Sequence, residues 1–484
     1  MKHALRFAMF PILLSLLASC GASGTETPAP SADTVPVTAT PAETEEVRTP
    51  YLASEDYGNA PFHILTMTTT GIYWFAEEEN GDTLNDGVYR RNTMTEEYLG
   101  VDLSWEAECD YSELPSILRK SVMAGDDAYQ MVLSDSMRGN TELVSSGLLY
   151  DLGTVSSIDF SHEYWNQSAL ETLTVFDKIY YVKSSYTLPA VAVVTFNKGM
   201  LAELDYEDPY TLVREDRWNL DVFMKMVQGA AADINGDSVM DKNDRYGMTC
   251  MMDYPVDCFI YAAGLSLTEL KDGKMTLSLN SERALTLYEK LDELLNKSKA
   301  SYHWDWGSKD DPAKTVKMDS GRTLFELNRT DSLYTLRDCN VDFGIVPYPK
   351  LDDTQKAYTM NDYSRLICVP SSVGDPEMVG KVLEMLGYYS TEYVYPAYYD
   401  DLMNSKVVRD AESIEMLDIV FNSVVCDGGM SYFGLNGKGL EAMMYYVSRT
   451  LSKGKNEFAS FYAKNEAKAQ AEIDKFYESI TSEG

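Results

Sequence analysis

Short apolar segments that read as buried strands alternate with segments of helical period through the first half of this chain. That alternation narrows the choice of fold more than any other feature. Residues 63–70 (HILTMTTT), 101–107 and 130–133 are the strands; residues 86–99, closed by Gly100, and 114–124 are helices between them, and a further helix runs on to Gly147. Strands separated by helices build parallel sheets covered by helices, and the loops at the carboxyl ends of such strands form ligand crevices. The predicted class is α/β. At 484 residues the chain is too long for one core and long enough for two substantial lobes.

A second constraint is local. Residues 233–244 (DINGDSVMDKND) place oxygen-bearing side chains at loop positions 1, 3, 5, 9 and 12. A hard cation such as Ca²⁺ takes about six to eight oxygens, and this spacing can wrap a chain around one. Asp233, Asn235, Asp237 and Asp241 would supply side-chain oxygens, Val239 its carbonyl, and Asp244 the closing carboxylate. The loop departs from the EF-hand pattern at two places: Gly236 sits at position 4 with Ser238 at position 6, and position 12 is Asp, one methylene shorter than Glu. A solvated acidic turn is the other reading. The loop is expected to hold a structural Ca²⁺.

Residues 208–223 (DPYTLVREDRWNLDVF) lead into that loop through a predicted helix. The combination resembles bacterial extracellular solute-binding proteins, of the family 1 type, that serve carbohydrate ABC importers. Asp208, Pro209, Tyr210, Leu212, Val213, Trp218 and Asp221 match its first part; Asp233, Asn235, Gly236, Asp237, Asp241, Asp244, Tyr246 and Gly247 match its second. The family prefers Glu-Gly-Lys where Glu215-Asp216-Arg217 stand, which leaves a different turn before Trp218 open. Residues 86–100, 148–152 (LLYDL), 196–198 (FNK), 344–350 (GIVPYPK), 395–400 and 409–418 also resemble family segments. The resemblance implies a bilobal periplasmic-binding-protein-like fold, two α/β lobes joined by a multi-strand hinge. It implies a receptor, not an enzyme, that captures a sugar, an oligosaccharide or another small solute and delivers it to the transmembrane subunits of an ABC permease.

Residues 1–19 read as a lipoprotein signal peptide: Lys2 and Arg6 precede a short apolar core, and Leu17-Ala-Ser-Cys20 resembles a lipobox with Cys20 as the lipidated residue. An ordinary secretory signal is the alternative. The apolar run is too short to span a bilayer, which takes about 20 residues. Residues 20–58 begin as a Thr-, Pro-, Ala-, Ser- and Glu-rich stretch with little to bury, expected to be a disordered tether. The protein is thus expected to be extracytoplasmic, a monomer, and bound to the membrane only through its N-terminal lipid. Net charge is −35, which disfavours nucleic acid and anionic lipid as partners. Six cysteines follow Cys20, and none forms CxxC; an even count permits disulfides, but in lobes this large buried free thiols are favoured.

Lobe boundaries follow from mapping the resemblance onto the chain. Residues 59–187 with 320–372 form the first lobe, and 188–319 with 373–484 the second, with a crossover at 178–197. The strand 341–346 and residues 364–370 are expected to return to the first lobe. Hinge segments fall near 185–190, 318–322 and 370–374. Ser281 should cap a helix with the apolar stripe Ala284, Leu285, Tyr288, Leu291, Leu294 and Leu295.

Three histidines beyond the signal peptide (His63, His162, His303) lie far apart, and no HExxH, GxSxG or Walker A pattern occurs. A glycan-active surface hydrolase remains as the alternative class, because 76 acidic residues do not exclude a carboxylate pair. A dockerin-type module would need two Ca²⁺ repeats, and one loop is present. The 34 tyrosines and six tryptophans suit sugar rings, whose C–H faces stack on aromatic faces, although most such residues are ordinary core. The resemblance nominates Tyr73 and Trp74 after the first strand, Asp135 after the third, Tyr186 in the crossover, and Glu326 and Asn328 before the return strand. Tyr363, Tyr432 and Phe433 would close the pocket, and Trp304 and Trp306 alternate in a polar loop that can face it.

Overall fold

The computed structural model describes residues 50–68, 74–110, 112–305, 316–404, 408–435 and 438–481. The signal segment and Cys20, together with Tyr73 and Trp306, lie outside the described residues. The folded body begins at Ser54, earlier than the tether was expected to end. The cause is backbone pairing: Glu55 and Tyr57 donate their N–H groups to the carbonyls of Tyr98 and Leu99.

The first sheet is built as the alternation predicts. β1 (Ala60–Met67) lies between β2 (Val101–Cys109) and β3 (Met131–Ser134), parallel to both. The helices α1 (Thr83–Leu99), α2 (Leu114–Ala124) and α3 (Asn140–Ser145) separate or follow these strands. Asp82 starts α1 by accepting the N–H of Asn85 at 2.9 Å. All four residues of β3 are buried, as in a central parallel strand.

The second sheet contains β4 (Ala192–Asn197) and β5 (Tyr246–Met252), and the hairpin β6 (Thr268–Lys271) with β7 (Lys274–Leu277) follows in the chain. β8 (Ser301–Asp305), β9 (Thr323–Arg329) and β10 (Phe343–Val346) complete it, in the order β10-β4-β9-β5-β8. β11 (Met360–Asn361) pairs with β13 (Val424–Val425), and β12 (Leu366–Cys368) adds antiparallel to β3 at the edge of the first sheet.

Two features of the family-like segment now have physical reasons. A Cβ on Gly247 would lie 1.9 Å from the carbonyl oxygen of Val227, so only glycine lets the helix Leu220–Ala230 press onto β5. Asp216 stands where the family prefers glycine and keeps the left-handed conformation, φ 61°. That costs a non-glycine residue on the order of 1–2 kcal/mol; its carboxylate is bonded by the fully buried Lys350 ammonium, which offsets part of the strain. Beyond this turn the Trp218 indole donates to the Pro347 carbonyl at 2.8 Å within the core.

The segment assignments need three corrections. The strand 341–346 does not return to the first sheet: β10 pairs antiparallel with β4, Phe343 opposite Asn197 and Val346 opposite Val194, and all four of its residues are buried there. β9 also belongs to this second sheet, between β4 and β5. The helices Pro376–Tyr389 and Tyr395–Asn404 pack on α1 of the first sheet instead of joining the second. Gly87 of α1 makes that approach feasible, since a Cβ there would sit 2.7 Å from the Tyr393 carbonyl oxygen. Within the segment from Ser281, the cap and stripe hold, except that Leu285 faces solvent. The six cysteines of the folded body are buried free thiols.

Candidate functional site

A cavity of about 290 Å³ lies where several strand ends and connecting segments meet. Trp74 follows β1; Asp135, Ser136 and Met137 follow β3; Arg329 and Asp331 stand at the end of β9. Leu188, Pro189 and Ala190 come from the segment joining the two sheets, Tyr363, Ser364 and Arg365 from the segment before β12, and Tyr398 from the helix Tyr395–Asn404. Carboxyl ends of strands gather ligand-binding groups in open α/β sheets, and the first sheet follows that rule here.

Each wall is held by identifiable bonds. The Trp74 carbonyl accepts from Arg91 Nη2 at 2.7 Å and from Asn92 Nδ2 at 3.1 Å. Arg91 is wholly buried and its guanidinium stacks 4.5 Å from the Tyr186 ring; burial pulls its pKa down to about 10. The Trp74 ring tilts on Tyr186 at 5.2 Å, and its Nε1–H has no hydrogen-bond partner among the described residues. Buried donors are nearly always paired, so this one stands out in the cavity wall. Opposite it, Arg365 Nη1 meets Asp135 Oδ2 at 2.8 Å, while Asp135 Oδ1 accepts the Met137 N–H at 2.9 Å. Arg329 forms a two-point contact with Asp331, with Nη2 to Oδ2 at 2.6 Å, and lies 4.6 Å over the ring of Tyr254, which tilts on Tyr363. Burial pushes the Tyr254 hydroxyl up to about 12, so it stays protonated.

A buried ion pair ties two of the lining segments together. Lys183 and Asp362, 1% and 2% exposed, meet at 3.2 Å. Asp362 also accepts the N–H of Ala190 and the N–H and hydroxyl of Ser364, fixing both connecting segments at once.

Of the nominated residues the structure brings together Trp74, Asp135 and Tyr363. Tyr186 sits behind Trp74 as a support and accepts from Trp105 Nε1 at 3.2 Å. Glu326 is buried inside the second sheet, accepting the Met318 N–H at 2.7 Å, and burial raises its pKa to about 7. Asn328 donates to the Thr195 hydroxyl across β4. Both lie short of the strand end that reaches the cavity. Tyr432 donates to the Leu173 carbonyl and Phe433 packs on Phe476, so both are core. Trp304 lies on the edge strand β8 under Lys317, away from the cavity lining. Arg329, Asp331, Arg365 and Tyr398 were not foreseen. The strand-end rule, applied to β9, would have found the first two.

In the loop 233–244 the acidic side chains accept backbone N–H groups. Asp233 takes those of Gly236 and Ser238, which hold its carboxyl below the usual range, and Asp244 takes those of Ile234 and Asp241. Asn235, Asp237 and Asp241 each accept from the residue two positions on, and Val239 is largely exposed. Among the described residues no group of three or more His, Cys, Asp or Glu is arranged to hold a metal ion.

No family model and no curated protein matches the chain. Solved structures do. The galacto-N-biose/lacto-N-biose I-binding protein of an ABC transporter from Bifidobacterium longum, in complex with lacto-N-biose, aligns at 13% identity and TM-score 0.59, covering 87% of this chain and 99% of its own. The maltose/maltodextrin-binding domain of Bdellovibrio bacteriovorus, bound to maltotriose, aligns at 14% identity and TM-score 0.52, covering 86% and 100%. UgpB from Mycobacterium tuberculosis, in complex with glycerophosphocholine, aligns at 14% identity and TM-score 0.54, covering 87% and 99%. No helix among the described residues is long and apolar enough to cross a membrane. The chain has the bilobal α/β fold of the solute-binding proteins of ABC transporters.

Proposed function

We propose that this protein is an extracytoplasmic solute-binding lipoprotein that captures a small saccharide between its lobes and hands it to an ABC permease. The observation that carries this reading is the cavity itself. Its lining sets the aromatic residues Trp74, Tyr363 and Tyr398 beside the charged Arg329, Asp331, Arg365 and Asp135. Rings for sugar faces and fixed polar groups for hydroxyls are what a saccharide needs on leaving water, since each unpaired hydroxyl would cost about 1–3 kcal/mol. Structures of the same fold hold lacto-N-biose and maltotriose. Binding without turnover fits the residues, because among the described lining residues both carboxylates are tied to guanidinium groups. Lobe closure about the segments 182–191 and 362–366 would seal the ligand, as in hinge-bending proteins. A thermal-shift screen against mono- and oligosaccharides tests the reading; no hit with any saccharide would move the solute to another class.

The anchor belongs to the same proposal: cleavage before Cys20 and lipidation of its sulfur would hold the body at the membrane through the residues up to Ser54. Cys20→Ser should release the mature protein or leave unlipidated precursor. A variant that still partitions into detergent like the parent would refute the anchor.

Ca²⁺ is proposed as the structural occupant of residues 233–244. In support, a carboxylate oxygen that accepts one N–H keeps a further lone pair for a cation. Because the ion would bind only the folded loop, excess Ca²⁺ should raise the melting temperature, and Asp233→Ala with Asp244→Ala should abolish the rise. A Ca²⁺-independent melt of the parent would make the loop an acidic turn.

A further inference from the structure

The fold does not select the solute, since a structure with this architecture holds glycerophosphocholine while others hold sugars. Selection must come from the residues of the cavity. Its described lining carries two guanidinium groups and two carboxylates, and they are matched one to one: Arg365 with Asp135 at 2.8 Å, and Arg329 with Asp331 at 2.6 Å. Arginine forks bind planar anions strongly, so an unmatched arginine in such a place would capture a carboxylate or phosphate on the ligand. Here each fork already faces a carboxylate from its own chain. From these pairs we infer that Asp135 and Asp331 are specificity determinants that make the cavity select neutral saccharides and reject their acidic counterparts. The inference rests on the solute-binding reading above.

Two further observations point the same way. Asp135 is fixed from both sides, by Arg365 on one oxygen and the Met137 N–H on the other, so it cannot swing away to admit a second anion without losing a backbone bond. Arg329 is held over the Tyr254 ring, which fixes its fork toward Asp331. A uronate entering the cavity would have to displace a built-in carboxylate or lie beside it, and like charges in a partly dry site repel. The formal net charge of −35 adds a long-range repulsion for any anion approaching from solution. A neutral sugar meets none of this. Its hydroxyls can donate to the outer lone pairs of the carboxylates. The volume of about 290 Å³ suits one or two sugar rings better than a long oligosaccharide.

The test uses matched sugars that differ only at C6: glucose with glucuronate, galactose with galacturonate, and cellobiose with cellobiouronate. Calorimetry on the full-length mature protein would compare the parent with Asp135→Asn and Asp331→Asn. Asparagine keeps the side-chain shape while removing the charge, so Arg365 or Arg329 becomes available to a ligand carboxylate. The parent should bind at least one neutral sugar tenfold or more tightly than its uronate, and each variant should shrink that ratio by tenfold or more. Melting curves show which variants are folded, and either one alone suffices for the comparison. A parent that binds the uronate as well or better overturns the inference, and so does a neutral preference that both variants retain. If no sugar of either kind binds, the saccharide reading fails and takes this inference with it.

Discussion

Asp362→Ala should destabilise the folded body by about 3–5 kcal/mol, the cost of leaving one member of a buried ion pair without its partner. Lys183 would keep its hydrogen bond to the residue 362 carbonyl at 2.7 Å but lose its only side-chain counter-charge among the described residues. The N–H groups of Ala190 and Ser364 would lose their acceptor as well. These donors sit in the two segments that connect the sheets, so one side chain holds together parts of the chain that share no strand. Lys183→Met should cost less. It leaves Asp362 with the N–H of Ala190 and both donors of Ser364, and a methionine fills the space of the lysine stem. Urea denaturation followed by circular dichroism reads both. If Asp362→Ala unfolds at the same urea concentration as the parent, the buried pair does not hold the crossing together.

That pair was not visible in the sequence, and the reason is general. Lys183 and Asp362 are 179 residues apart and each sits in an unremarkable polar setting. Features carried by neighbouring residues were legible. The strands and helices of the first sheet follow from period and caps, the loop 233–244 stands out by the spacing of its oxygen side chains, and Trp218 and Gly247 stand out through the family resemblance. What failed was the assignment of segments to sheets after residue 320. The strand β10 is apolar along its whole length and would suit either sheet; only its antiparallel register with β4 decides. The helix Tyr395–Asn404 likewise carries no local mark of the surface it covers, which is set by the space Gly87 leaves on α1 for Tyr393 and Ala397. The site was legible to the extent that strand ends were. Asp135 directly follows β3 and Trp74 lies beyond the end of β1, and both nominated residues line the cavity. Glu326 and Asn328 lie inside β9, whereas the cavity is reached at its end, by Arg329 and Asp331.

Removing the Trp74 ring should weaken saccharide binding by on the order of tenfold or more, through lost stacking against the sugar face. Trp74→Ala alone is not a clean measurement. The ring is only 5% exposed and packs on Tyr186, so its loss should also lower the melting temperature of the free protein. The backbone clamp from Arg91 and Asn92 acts on the Trp74 carbonyl and survives any substitution of the side chain, which keeps the residue in place. Trp74→Phe separates the two contributions of the ring. Phenylalanine keeps an aromatic face and most of the packing but lacks the indole N–H, the donor that has no partner among the described residues. A neutral hydrogen bond contributes about 0.5–1.5 kcal/mol, so Trp74→Phe should lose roughly two- to tenfold in affinity with little change in melting temperature. The order parent, Trp74→Phe, Trp74→Ala, from tightest to weakest, is the expected result by calorimetry with a saccharide from the screen. Equal affinity of all three would place the binding site away from this cavity, and equal affinity of the first two would assign the indole N–H no role in recognition.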